Sequence, residues 1–194
     1  MKRAVFLDRD GVLNEPVLDP ADGRPESPLR AQDVVLCEGA AAAVVALQQA
    51  GFETVVVTNQ PAAAKGKTSV DELHAVNERV RALLAAGGAE IATWKICLHH
   101  PEATVAELGG PCDCRKPAPG MLLEAASELG LSLPESWIVG DSDGDIGAGQ
   151  AAGCRTLLIE HPLTSHRRSP GVAADANAND LQGAAAIILD SESV

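Results

Sequence analysis

Short apolar runs rich in β-branched residues alternate with alanine-rich stretches along most of the chain. Five of the runs read as strands: residues 4–8 (AVFLD), 54–59 (TVVVTN), 91–98 (IATWKICL), 136–141 (SWIVGD) and 155–160 (RTLLIE). Their apolar character is continuous rather than alternating, the pattern of a parallel sheet covered on both faces. Between them lie three helical stretches. Residues 38–50 stop at Gly51, residues 69–86 open with the capping box Ser69-x-x-Glu72 and close at Gly87, and residues 119–129 stop at Gly130. A last helix is expected over residues 179–189, although AAIILD is also compatible with a strand. Strand and helix in turn imply βαβ crossovers, and so an α/β fold with a doubly wound, Rossmann-like, mostly parallel sheet and helices on both faces. The connectors 14–37 and 99–118 are long, and residues 160–179 read as a surface loop. With no repeat or low-complexity linker, residues 1–194 are expected to form one domain.

Composition narrows the function classes. A net charge of −12 and a pI near 4.7 argue against a sequence-independent grip on nucleic acid or an anionic membrane, since both need a basic surface. Tyrosine is absent and aromatics make up 2% of the chain, so platforms for base stacking are not expected. The first residues, MKRAVFLDRDG, read neither as a signal peptide nor as a membrane span, because Asp8 interrupts the apolar run. A cytoplasmic, monomeric protein is the expectation. Five cysteines without framework spacing then point to metal binding or burial rather than to bridges.

The candidate chemistry falls at strand ends, where ligands of doubly wound sheets gather. Asp8 and Asp10 follow the first strand, with a turn at Gly11 that would let both carboxylates converge. Thr58 and Asn59 end the second strand and Asp141 the fourth, while Arg115 and Lys116 precede the helix near Pro119. Taken alone, Asp8 and Asp10 could be no more than an acidic turn. As a set, Asp8, Asp10, Thr58, Lys116 and Asp141 are the residue types that phosphoryl transfer through an aspartyl phosphate requires. A carboxylate attacking a phosphate needs Mg²⁺ to neutralise both, with an ammonium and a hydroxyl on the equatorial oxygens.

A second pattern, Cys97-x-His99, twelve residues and Cys112-x-Cys114, is a soft-ligand arrangement suited to tetrahedral Zn²⁺. With no open ligand position the ion would be structural, pinning a loop over about residues 97–114 whose far end delivers Arg115 and Lys116. A strained Cys112–Cys114 bridge or scattered thiols are the alternatives, as is His100 in place of His99. Cys37 and Cys154 read as small buried hydrophobes.

Four segments, FLDRDGV, VVVTNQ, CRKPAPGM and IVGDSDGDIGAG, together resemble the four ordered motifs of the haloacid dehalogenase superfamily of phosphatases over roughly residues 3–160. The resemblance implies that Asp8 is the nucleophile and Asp10 the general acid and then base. It implies Mg²⁺ on Asp8, the main-chain carbonyl of Asp10 and Asp141, with Thr58 and Lys116 on the transferring phosphoryl group. Asp145 would support the site or cap a helix, and Asp143 would be solvated. Arg9, Asn59, Gln60 and Arg115 join the catalytic residues at the substrate. The cysteine loop is similar to that of the D-glycero-D-manno-heptose-1,7-bisphosphate 7-phosphatases and related histidinol-phosphate phosphatase domains, a subgroup without a large cap domain. That subgroup implies a small phosphorylated sugar as substrate, with removal of the 7-phosphate from a heptose bisphosphate, Arg115 on its other phosphate, and histidinol phosphate as the rival substrate. A nucleic-acid 3′-phosphatase and a non-catalytic zinc-stabilised module are the competing functions. The chain departs from the subgroup at residues 16–28, where the usual histidine, glycine and tyrosine are missing. It departs again at TNQPAAAKG, where Lys65 would be either a phosphate contact or a solvated lysine.

Overall fold

A computed structural model describes residues 1–19, 22–169 and 171–191. A six-stranded sheet is built from β1 (Arg3–Leu7), β4 (Phe52–Asn59), β5 (Thr93–Cys97), β6 (Trp137–Gly140), β7 (Arg155–Ile159) and β8 (Ala176–Ala178). A separate antiparallel hairpin pairs β2 (Val17–Leu18) with β3 (Pro25–Glu26). The large sheet runs β5-β4-β1-β6-β7-β8, and each pair is parallel. From β1 the chain moves to β4 and β5 on one side, then returns to β6 and β7 on the other. The carboxyl end of β1 is therefore the point where the winding reverses, and a crevice opens there.

Side chains alternate across a strand, so each central strand feeds two cores. Val5 and Leu7 of β1 pack on one face and Ala4 and Phe6 on the other. The first face is covered by α1 (Ala40–Gln49), α2 (Val70–Ala86) and α5 (Leu181–Ser191), through Leu47, Val80, Leu84 and Ile188. The second is covered by α3 (Gly120–Leu129) and α4 (Asp143–Ala152), through Met121, Leu122, Ala125 and Ala148. Burying one such aliphatic side chain contributes roughly 1.5–3 kcal/mol, so the apolar strand runs fix the layering. The Ser69 hydroxyl accepts from Glu72 N at 3.1 Å to start α2, and Gly130 ends α3 in the left-handed conformation at φ 67°.

The structure adds to and corrects the sequence reading in four places. The AAIILD stretch is helical, within α5. The DGDIGAGQAA stretch forms α4 although three of its ten residues are glycine. A Cβ on Gly149 would stand 2.3 Å from Ile138 Cγ2, so that glycine lets the helix lie against β6. The connector 14–37 folds partly as the hairpin, although Pro20 and Ala21 of that segment lie outside the described residues. Residues 160–179 are not merely a surface loop. They hold a 3₁₀ turn, Pro162–Arg167, with Thr164 fully buried, and the edge strand β8. A three-residue ANA strand carries no apolar signal to betray it.

Candidate active site

Three carboxylates meet at the end of the sheet. Asp8 follows β1, Asp141 follows β6, and Asp145 sits in the first turn of α4; all are buried, and one oxygen from each lies within 4.8 Å of the others. Lys116 reaches in from the loop before α3. Its Nζ donates to Asp145 Oδ1 at 2.5 Å and to the Val57 carbonyl at 2.6 Å, and it pairs with Asp8 Oδ1 at 2.9 Å. Burial works against the ammonium, but Asp145 and Asp8 hold it protonated well above the ordinary lysine range. Asn59 anchors this loop, its Oδ1 accepting from Lys116 N and its Nδ2 donating to Lys116 O, each at 3.1 Å.

The carboxylates resist sharing this space. Burial raises Asp8 above its ordinary value; Lys116 opposes the rise, and Asp145 and Asp10 add to it. Burial, with Asp8 and Asp145 nearby, pushes Asp141 up to about 8 despite the pull of Arg167 and Thr164. Asp141 Oδ1 is buried with no hydrogen-bond partner among the described residues. A buried, oxygen-only cluster with an orphaned carboxylate oxygen fits a hard divalent cation. Gly11 leaves the room: at φ 81° it suits glycine, and a Cβ there would stand 2.3 Å from Asp141 Oδ2. Asp145 both supports Lys116 and closes the start of α4, where its Oδ2 accepts from Ser142 N at 3.1 Å and Ser142 Oγ at 2.5 Å.

Asp10 does not converge with Asp8 on shared partners. Arg9 Nη2 donates to its two oxygens at 2.9 and 3.0 Å, Asn14 Nδ2 to Oδ1 at 3.0 Å, Gln60 Nε2 to Oδ2 at 2.8 Å and Ser27 Oγ to Oδ2 at 2.7 Å. Burial opposes the charge, yet Arg9 and the bonds from Gln60, Ser27 and Asn14 outweigh it and bring the carboxyl to about 2. Arg9, expected at the substrate, is completely buried, and its fork is spent on Asp10, Asn77 and Gln60. These contacts tie it to Asp10 rather than to the solvent-facing cleft. Gln60, likewise enclosed, also donates to Thr58 Oγ1 at 2.9 Å.

The cysteine cluster forms at the end of β5. Cys97 Sγ lies 3.8 Å from Cys112 Sγ and from His99 Nδ1, and 2.9 Å from Cys114 Sγ; His99 Nδ1 is 3.3 Å from Cys114 Sγ. Tetrahedral zinc with Zn–S bonds of about 2.3 Å separates its sulfurs by roughly 3.8 Å, so the Cys97–Cys112 contact matches that edge and the Cys97–Cys114 approach is tighter. All five cysteines are free. His100 turns away, its Nδ1 accepting from Glu102 N at 3.1 Å. Arg115, one residue beyond the cluster, donates from Nη1 to the His99 carbonyl at 3.2 Å.

A family model for HAD-hydrolase-like proteins matches residues 113–184. The D-glycero-beta-D-manno-heptose-1,7-bisphosphate 7-phosphatase of Vibrio cholerae serotype O1 is 37% identical over 158 residues, 81% of each chain. The chain belongs to the HAD-like hydrolases. A D-glycero-alpha-D-manno-heptose-1,7-bisphosphate 7-phosphatase of Photorhabdus laumondii is 31% identical over 84% of this HAD-like chain and 86% of its own. The crystal structure of a D,D-heptose 1,7-bisphosphate phosphatase from B. bronchiseptica, complexed with magnesium and phosphate, superposes with a TM-score of 0.80 at 26% identity over 97% of this chain and 99% of that one.

Within this HAD-like site the sequence reading missed Asn14, Ser27, Asn77 and Arg167. Asn14 and Ser27 sit in a connector without periodicity, and Asn77 is a polar position on the buried face of α2. Arg167 Nη1 lies 3.5 Å from Asp141 Oδ2. Asp143, expected in solvent, accepts from Ser169 N at 2.7 Å and so fastens the segment that carries Arg167. No helix among the described residues is long and apolar enough to cross a membrane.

Proposed function

We propose that the protein is a Mg²⁺-dependent phosphomonoester hydrolase that works through an aspartyl phosphate on Asp8 and removes the 7-phosphate of D-glycero-D-manno-heptose 1,7-bisphosphate. The observation that carries the chemistry is the Lys116 ammonium held between Asp8 and Asp145 beside a buried Asp141 with an unpartnered oxygen. The substrate reading is supported by the relatives named above, which include enzymes for both anomers.

Asp8, Asp141 and the main-chain carbonyl of Asp10 would hold the magnesium ion, which when bound neutralises the carboxylates and polarises the phosphoryl oxygens. The Asp8 carboxylate attacks phosphorus and the bond to the sugar oxygen breaks. Asp10 gives that oxygen a proton, then takes one from the water that attacks the phosphoenzyme and frees inorganic phosphate. In its clamp of Arg9, Gln60, Ser27 and Asn14, Asp10 is ionised and set for the second half-reaction. The approach of a phosphate dianion raises its proton affinity for the first. Lys116 and Thr58 hold the equatorial oxygens; losing one such donor costs roughly 3 kcal/mol of barrier. Asn59 and Gln60 act through their neighbours, by fixing the Lys116 backbone and orienting Asp10 and Thr58. Cys97, His99, Cys112 and Cys114 would hold a structural zinc ion that fixes the approach of Arg115 and Lys116.

The experiment is phosphate release with Mg²⁺ from both anomers of the heptose bisphosphate and from histidinol phosphate, with Asp8→Asn as the blank. Turnover of the heptose ester that Asp8→Asn abolishes is the expected result. Turnover of histidinol phosphate alone would keep the mechanism and replace the substrate, and activity that survives Asp8→Asn would refute the phosphoenzyme.

A further inference from the structure

A general acid has to touch the oxygen it protonates, so the leaving alcohol lies where Asp10 can be reached. Ser27 and Gln60, which both bond Asp10 Oδ2, line a cleft of about 190 Å³. Pockets for drug-sized ligands run to roughly 300–1,000 Å³, so this cleft suits a group of sugar size. It is also lined by Lys65, Lys67 and Arg167. Glu26, the one acidic residue lining it among those described, is ion-paired with Lys67. In a chain of net charge −12, three cations line one cleft, with Glu26 against Lys67 and Asp141 against Arg167 as counter-charges, and this local gathering of positive charge suits an anion.

Arg167 is built into position. Thr164, three residues earlier, is fully buried, His161 Nε2 lies 3.0 Å from Glu15 Oε2, and Ser169 N donates to Asp143 Oδ2 at 2.7 Å, so its segment is fastened on both sides. Among the described residues the guanidinium makes one long contact, 3.5 Å from Nη1 to Asp141 Oδ2, and is a quarter exposed. A planar fork bridging the carboxylate cluster and the cleft is suited to bidentate capture of a phosphate or carboxylate. Arg115, the residue expected from sequence at the second phosphate, stands on the zinc-loop side and donates from Nη1 to the His99 carbonyl.

We propose that this cleft receives the leaving alcohol and that Arg167, with Lys67 and Lys65, binds a second anionic group on it, making Arg167 a determinant of preference for a sugar bisphosphate over the monophosphate. The inference rests on the assignment of Asp10 to the leaving oxygen made under the proposed function. The test compares kcat/KM for heptose 1,7-bisphosphate and heptose 7-phosphate at saturating Mg²⁺ in the wild type, Arg167→Ala, Arg167→Lys, Lys67→Ala and Arg115→Ala. Loss of a charge-assisted contact lowers the bisphosphate-to-monophosphate ratio roughly 10- to 100-fold in Arg167→Ala, chiefly through KM. Arg167→Lys recovers part of it, and Lys67→Ala moves the ratio the same way. An unchanged ratio in both alanine variants, or an equal loss on the two substrates in Arg167→Ala, overturns the proposal. So does a ratio that collapses only in Arg115→Ala, which would put the second anion on the zinc-loop side. A wild type inert on both esters instead refutes the substrate reading, and the cleft assignment falls with it.

Discussion

Replacing Arg9 by methionine would leave Asp10 ionised and buried without its countercharge. Breaking a buried pair from one side costs roughly 3–5 kcal/mol, far more than the pair adds relative to an apolar substitute. Arg9→Met is therefore expected to lower the urea midpoint sharply at neutral pH, and a loss below 1 kcal/mol would show that the clamp is not what holds Asp10. At this scale the sequence exposed the chemistry and hid the assignments. Asp8, Asp141, Thr58 and Lys116 were legible as types at strand ends. That Arg9 points inward while its neighbour Asp8 faces Lys116 depends on the side to which each side chain turns after β1, which residue type does not encode.

The elements that carry the site were legible to different degrees. Long apolar strands and well-capped helices could be read, because burial and capping act within a dozen residues. The loop that gathers Cys97, His99, Cys112 and Cys114 could be read from ligand spacing. Its contribution is testable: Cys112→Ser should abolish the roughly one zinc per chain expected by mass spectrometry of purified protein, lower Tm, and reduce kcat as the register of Lys116 loosens. Full activity in a zinc-free protein would remove the loop from the mechanism. The hairpin of β2 and β3 and the turn Pro162–Arg167 were not legible. They are held by contacts to distant residues, Ser27 to Asp10 and Glu26 to Lys67 beside the hairpin, His161 to Glu15 and Arg167 to Asp141 in the turn, rather than by any local pattern.

For the whole molecule, the Asp10 clamp couples stability to acidity. Its carboxyl lies at about 2 in the fold against an ordinary 3.8, so the folded state binds fewer protons than the unfolded state between those values. The stabilisation, about 2 kcal/mol, is complete above pH 4 and is lost as the pH falls toward 2. Asp10→Asn should flatten that part of the curve of unfolding free energy against pH, and an unchanged acid limb would assign acid unfolding to other groups. The sheet order gives this coupling its place: β1 lies between β4 and β6, so the carboxyl ends of all three strands contribute to one crevice.

The sequence by itself determined the α/β class, the strands that meet at the site, the carboxylate, lysine and threonine chemistry, and the cysteine and histidine cluster. Each of these is written in hydrophobic periodicity or in short-range spacing, which burial and coordination enforce locally. Tertiary structure alone decided which polar residues became partners. Asp10 is held by Arg9, Asn14, Ser27, Gln60 and, through Arg9, Asn77; Arg167 comes to Asp141 from a segment without a strand or helix signal. Those contacts span 1 to 68 residues of sequence. They exist because a buried charge must find donors wherever the folded chain supplies them.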